Sequence, residues 1–184
     1  MSVTIAADGT KDVIPPLTDA DIESLNAGDR VRITGVMYTA RDAAHARLLP
    51  LIDAGQPLPI DVRGQIIYYT GPSPARPGDV VGSIGPTTGG RMDKFTPKLL
   101  ALGLKGTLGK GARSQPVKDA FRQHKGVYFG AIGGAGAVLS GFVKKLRSWP
   151  TRTSAPRPSG ASRWPGFPPS WSMIATAAIS IRTA

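Results

Sequence analysis

"GPTTGGRMDKFTPKLLALGLKGTLGKG", Gly85 to Gly111, compresses a loop, a helix and a strand into one run. Pro86 and the Gly89-Gly90 pair break any period at its start. "MDKFTPKLLALGL" then reads as a helix, with Pro97 suited to a first turn and Gly103 to a C-terminal stop. "KGTLGKG" reads as a short strand closed by a glycine turn. The same alternation continues outward. "GDRVRITGVMYTA" interleaves Val31 and Ile33 with Arg30 and Arg32, which marks a strand, and "RDAAHARLLPLIDAG" reads as a helix that Pro50 should kink or end. "GQIIYYTG", "DVVGSIG" and "GVYFGAIG" read as strands, "SQPVKDAFRQH" as a helix capped by Ser114, and "AGAVLSGFVKKL" as a helix. Thr18-Asp19-Ala20-Asp21 resembles a capping box opening a short helix through Leu25. Strands alternating with helices predict an α/β or mixed β/β/α fold.

The chain has 184 residues, which predicts one compact domain with a real core. We expect a loose lead-in over 1–16, the domain over 17–146 and an irregular tail over 147–184. There is no cysteine, so the chain has no disulfide framework and no thiolate-held metal or cluster of its own. An iron–sulfur cluster, if needed, comes from a partner. No apolar run approaches the roughly 20 residues of a membrane-spanning helix. The start, "MSVTIAADGTKDVIPPLTD", lacks the basic-then-apolar pattern of a signal peptide, so a cytoplasmic protein is expected.

A net charge of +11 invites a nucleic-acid reading. Its source argues against that. The last acidic residue is Asp119, and five of the 23 basic residues (Arg147, Arg152, Arg157, Arg163, Arg182) lie in the tail. The first 146 residues keep 18 bases against 12 acids, or +6. They lack a basic run interleaved with aromatics, so nucleic acid is not expected as their partner.

Several motifs carry chemistry. In "TARDAAH", Arg41 stands where a strand hands over to a helix, whose free N–H groups favour anions. A guanidinium there matches a carboxylate; the alternative is a surface pair with Asp42, or a cap. In "GPTTGGRMD", Thr87 and Thr88 offer hydroxyls, the glycines let the backbone approach a ligand, and Arg91 supplies a clamp. The alternative is an ordinary glycine-rich turn. "GTLGKGARS" places Lys110 between glycines, as a ligand contact or a solvated turn lysine; it is not a Walker loop, because Leu104 replaces the first glycine and Gly111 follows the lysine. "GAIGGAGAVLSG" imitates a dinucleotide fingerprint but has Leu139 at the third glycine position. His45 and His124 are too few for a metal site.

"TARDAAHARL", "IIYYTGPSPARPGDVVGSIGPTTGGRMDKFTPKLLALGLKGTLGKG" and "VYFGAIGGAGAVLS" together resemble the β subunit, or C-terminal domain, of class I (iron–sulfur) fumarase and L-tartrate dehydratase. The resemblance runs from about Leu17 to Lys145. It implies a swivelling β/β/α domain with a mixed sheet flanked by helices. It implies an α-subunit partner that carries three cysteines and a [4Fe–4S] cluster, one iron of which serves as Lewis acid. The implied reaction is hydration of fumarate to (S)-malate between the two subunits; tartrate dehydration is the alternative. It implies that Arg41 and Arg91 clamp carboxylates, that Lys110 and Thr88 assist, and that Thr87 stands near the proton transfer. A threonine hydroxyl is a poor base alone, so Thr87 would need a carboxylate from the partner or support from Arg91.

From Arg147 the pattern collapses into a stretch with all three tryptophans and six of the 17 prolines, and no period returns until the last dozen residues. A genuine basic tail, disordered or binding nucleic acid, is one reading. The favoured expectation is that one base is lost after Lys145 and the family's ending is read out of frame. Given that shift, Trp164-Pro165 forces an alanine and Met173-Ile174 an aspartate. The restored ending reads as strand, helix, strand and an acidic finish, and lowers the net charge to about +1.

Overall fold

The protein is described by a computed structural model covering residues 2–148 and 172–183. Eight strands form one mixed sheet: β1 (Val3–Ile5), β2 (Lys11–Val13), β3 (Arg30–Thr39), β4 (Ile66–Tyr68), β5 (Gly106–Gly109), β6 (Val127–Gly130), β7 (Val143–Ser148) and β8 (Ser172–Thr183). The strand order is β1-β2-β3-β4-β5-β6-β8-β7, with β8 also paired to β3. Strands β2 to β6 are mutually parallel along that order, while β8 runs antiparallel to β3, β6 and β7. The pairings β3–β4–β5–β6–β8–β3 therefore close on themselves, which removes open edges along that ring.

Five helices flank the sheet: α1 (Asp19–Glu23), α2 (Asp42–Asp53), α3 (Thr96–Ala101), α4 (Gln115–Gln123) and α5 (Gly136–Ser140). The central strands are apolar on both faces, as parallel strands covered twice must be. Ile66 and Tyr68 of β4 face one core with Phe129, Ile22 of α1 and Leu139 of α5. Ile67 and, two residues on, Tyr69 face the other, with Leu48 of α2, Leu99 of α3 and Val117 and Phe121 of α4. The α/β class and the mixed sheet flanked by helices are as expected from the sequence. Thr18 caps α1 in a reciprocal box with Asp21, and Pro97 sits in the first turn of α3.

Four local expectations are corrected. Residues 1–16 are not a loose lead-in: β1 and β2 form an antiparallel pair, and β2 extends the sheet beside β3. Three-residue strands are too short to leave a period in the sequence. "DVVGSIG" is no strand, because its backbone pairs with a loop and the start of α5: Ser73 N donates to Ser83 O, Gly82 N to Ser73 O and Ile84 N to Gly136 O. Pro50 does not end α2, which runs on to Asp53. "AGAVLSGFVKKL" is helical only to Ser140, and Val143 onward joins the sheet. In the stretch expected to be irregular, 149–171 lies outside the described residues. Ser172–Thr183, where the period returns in the sequence, forms β8.

Candidate active site

Because β3, β4, β5 and β6 are parallel, their carboxyl ends open on the same side. Ligands collect at that end of α/β sheets, where loops and helix N-termini converge. Four connections leave from it: Ala40-Arg41 after β3, Tyr69–Gly71 after β4, Lys110-Gly111 after β5 and Ala131–Ala135 after β6. The segment Gly85–Met92, ending in a 3-10 turn over Gly89–Met92, is laid across them.

Backbone hydrogen bonds fix that segment. Thr87 N donates to Tyr69 O at 2.7 Å, Lys110 N to Thr87 O at 3.1 Å, and Gly89 N to Lys110 O at 2.8 Å. The Tyr68 hydroxyl donates to Ile84 O, and Thr70 Oγ1 donates to Gly85 O at 2.8 Å. Thr87 and Thr88 are thus held at the ends of β4 and β5, with Thr88 bridged to Lys110. The lysine side chain lies beside Gly133 of the loop after β6.

Arg41 occupies the N-cap position of α2 with extended backbone. Its side chain crosses Gly71: a Cβ there would stand 2.7 Å from Arg41 Cζ and Nε. Only glycine leaves the guanidinium that room. Asp42 does not pair with Arg41. It binds Arg91 instead, with Arg91 Nη2 donating to Oδ2 at 2.6 Å and Nε to Oδ1 at 3.2 Å. The pair is about half exposed, at 53% and 44%. The structure therefore brings all five sequence-predicted residues, Arg41, Thr87, Thr88, Arg91 and Lys110, to one end of the parallel strands.

Two buried groups lie beneath the site. His45 is a buried part of the core, its Nδ1 2.9 Å from Arg41 O and its ring against Tyr69 and Phe95. Burial pulls its pKa down to about 4, against the opposing hydrogen bond to the Arg41 carbonyl. Arg113 is also buried, its side chain 2% exposed, and pairs with Asp93 at 2.7 Å. Burial works against the Asp93 carboxylate, but hydrogen bonds from Ser114 and Arg113 outweigh it and hold its pKa below the usual value. Periodicity could not reveal this, since Arg113 reads as one more base on a polar loop.

A cavity of about 550 Å³ lies elsewhere, between α1, α4 and the start of β6, with Leu25, Phe121 and Val127 in its wall. None of the five predicted residues lines it. The convergence of loops and charged groups marks the better candidate. Among the described residues, no cluster of His, Cys, Asp or Glu could hold a metal ion. No helix there is long and apolar enough to cross a membrane.

Known proteins resemble the chain over this same region. Residues 8–150 match the family model described as fumarase C-terminus. The anaerobic class I fumarate hydratase of Escherichia coli K12 is 44% identical over 122 residues, 66% of this chain and 22% of its own. Fumarate hydratase 2 of Leishmania major is 44% identical over 114 residues, 61% of this chain and 20% of its own. A Methanocaldococcus jannaschii protein named for the β subunit of L(+)-tartrate dehydratase is 35% identical over 133 residues, 71% of this chain and 68% of its own. The aligned region thus spans about a fifth of those fumarate hydratases but two thirds of the archaeal subunit. The match to the family model covers most of the chain and includes every strand end that carries the site, so the chain belongs to the fumarase C-terminus family.

Proposed function

We propose that the chain is the β-type half of an iron–sulfur hydro-lyase that hydrates fumarate reversibly to (S)-malate. One observation supports the reading: Arg41, Thr87, Thr88, Arg91 and Lys110 all lie at the carboxyl ends of the parallel strands or on the segment laid across them. A C4 dicarboxylate has a charged group at each end. In this reading Arg41 takes one carboxylate and Arg91 the other, each as a forked donor. Arg91 exchanges Asp42 for the substrate when it binds. Lys110 adds a point charge where negative charge grows as the proton beside the second carboxylate leaves, and the Thr88 hydroxyl contributes to orientation. The Thr87 hydroxyl stands at the proton transfer, supported by Arg91 or by a partner carboxylate.

The residues of this chain do not fit a [4Fe–4S] cluster, since the sequence has no cysteine and the described residues hold no metal-ligand group. An α subunit is the source of the cluster in this reading, and the cluster supplies Lewis-acid activation of the substrate. Ile132, 83% exposed in the loop beside Lys110, and Val138, 68% exposed on α5, suit contact with such a partner. Its surroundings are taken to be cytoplasmic. L-tartrate is the second substrate reading, supported by the fuller overlap with the archaeal subunit. The tail is proposed to be the family ending out of frame, which the end of the family match at residue 150 supports.

Co-expression with a cysteine-bearing α subunit tests the function, with fumarate, L-tartrate and mesaconate as substrates. Iron-dependent hydratase activity is expected. A pair that assembles, holds its cluster and turns over none of the three overturns the reading.

A further inference from the structure

Arg113 belongs to no part of the proposed clamp, yet its guanidinium bonds to three separate parts of the fold. Its Nε donates to Asp93 Oδ1 at 2.7 Å, its Nη2 to Thr96 Oγ1 at 2.7 Å and its Nη1 to Thr107 Oγ1 at 3.2 Å. Its guanidinium carbon lies 5.0 Å from the Tyr128 ring centre and 5.4 Å from that of Tyr69. Thr107 lies on β5, Thr96 opens α3, and Asp93 follows the 3-10 turn that carries Arg91. One planar group thus ties the turn to the sheet at three fixed angles, which an ammonium cannot reproduce.

The same side chain presses from beneath. A Cβ at Gly89 would stand 2.7 Å from the Tyr128 hydroxyl and 2.9 Å from Arg113 Cδ. The buried Tyr128 hydroxyl has no hydrogen-bond partner among the described residues, so it acts here as a spacer under Gly89. Thr87 lies two residues before this seat, and Arg91 two after.

We infer that Arg113 is a positioning residue: clamped by Asp93, Thr96 and Thr107, it fixes the Thr87–Arg91 segment at the height the reaction needs. The link to a reaction rests on the function proposed above; the link to the segment does not. The test therefore has two arms.

In the first, amide hydrogen exchange is followed on the full chain for Arg113→Met, Arg113→Lys and Asp93→Asn. The amides of residues 87–93 are expected to exchange at least tenfold faster in Arg113→Met, and less so in Arg113→Lys. Those of Arg30–Thr39 should change less than threefold. Asp93→Asn cuts the same link from its more exposed end, should accelerate the same amides, and decides the matter if Arg113→Met does not fold. Unchanged exchange at 87–93, or equal acceleration across β3, overturns the inference.

In the second arm, the variants are assembled with the α subunit. A fall in kcat of at least thirtyfold is expected, with KM for the diacid within threefold and partial recovery in Arg113→Lys. Wild-type kcat in Arg113→Met overturns the inference. A wild-type pair without activity overturns the functional reading alone, and the exchange arm still decides the role of Arg113.

Discussion

Arg91 and Asp42 show how an exposed cation can be kept in place at little cost. A half-exposed ion pair contributes at most about 1 kcal/mol, so Arg91→Ala should leave the fold intact. Turnover by the assembled pair should nevertheless fall by about 10² to 10⁴, because a fixed charge at the developing anion is lost; steady-state kinetics beside an unfolding curve separates the two. Thr87→Val should lose a similar factor, and Thr87→Ser should recover part of it, if the hydroxyl takes part in proton transfer. His45 makes a different prediction, about stability. Its pKa is near 6.5 unfolded and about 4 folded, so below pH 6.5 the unfolded state binds the extra proton. The neutral ring's contribution is whole above pH 6.5 and is lost as pH falls toward 4, by up to roughly 3 kcal/mol. Urea midpoints measured from pH 7 to pH 4 should decline, and His45→Gln should flatten that decline.

At the scale of elements, two glycines that look alike in the sequence are expected to behave differently. At Gly71 an added methyl meets the far end of Arg41, which can swing away. Gly71→Ala should change stability little while raising KM for a diacid about tenfold, as an arginine leaves its carboxylate. At Gly89 the methyl meets a buried tyrosine and the packed stem of Arg113. Gly89→Ala should cost about 1–3 kcal/mol of overpacking, visible in the unfolding midpoint. Much of the architecture was legible in the sequence where an element is long, or apolar on both faces: β3, β4, β6 and α4 stand where the patterns put them. The misses share a cause. "DVVGSIG" has strand-like residues, but its backbone partners lie in another loop and at the start of α5, and local propensity does not report that. The proposed clamp residues stood out because charge on a glycine-rich turn is conspicuous. Arg113 was not, because its burial depends on Asp93, Thr96 and Thr107 arriving from elsewhere.

The whole molecule joins a site on one end of the parallel strands to a sheet whose ring closes through β8. That closing strand comes from the segment proposed to be out of frame. A gene with the frame restored after Lys145 should therefore yield a protein whose unfolding midpoint is higher by several degrees. Sequencing the encoding DNA checks the premise; no open continuation in the neighbouring frame would remove it. The site itself depends on neither ending, since every residue in it lies between Arg41 and Lys110. Its central claim is that two guanidinium groups hold opposite ends of a short diacid. A crystal structure of the chain with its α partner and a bound C4 dicarboxylate measures that directly. The account predicts a nitrogen of Arg41 and one of Arg91 each about 2.7–3.2 Å from an oxygen of a different carboxylate. A diacid bound in the subunit cleft with both side chains turned away from it would contradict the account.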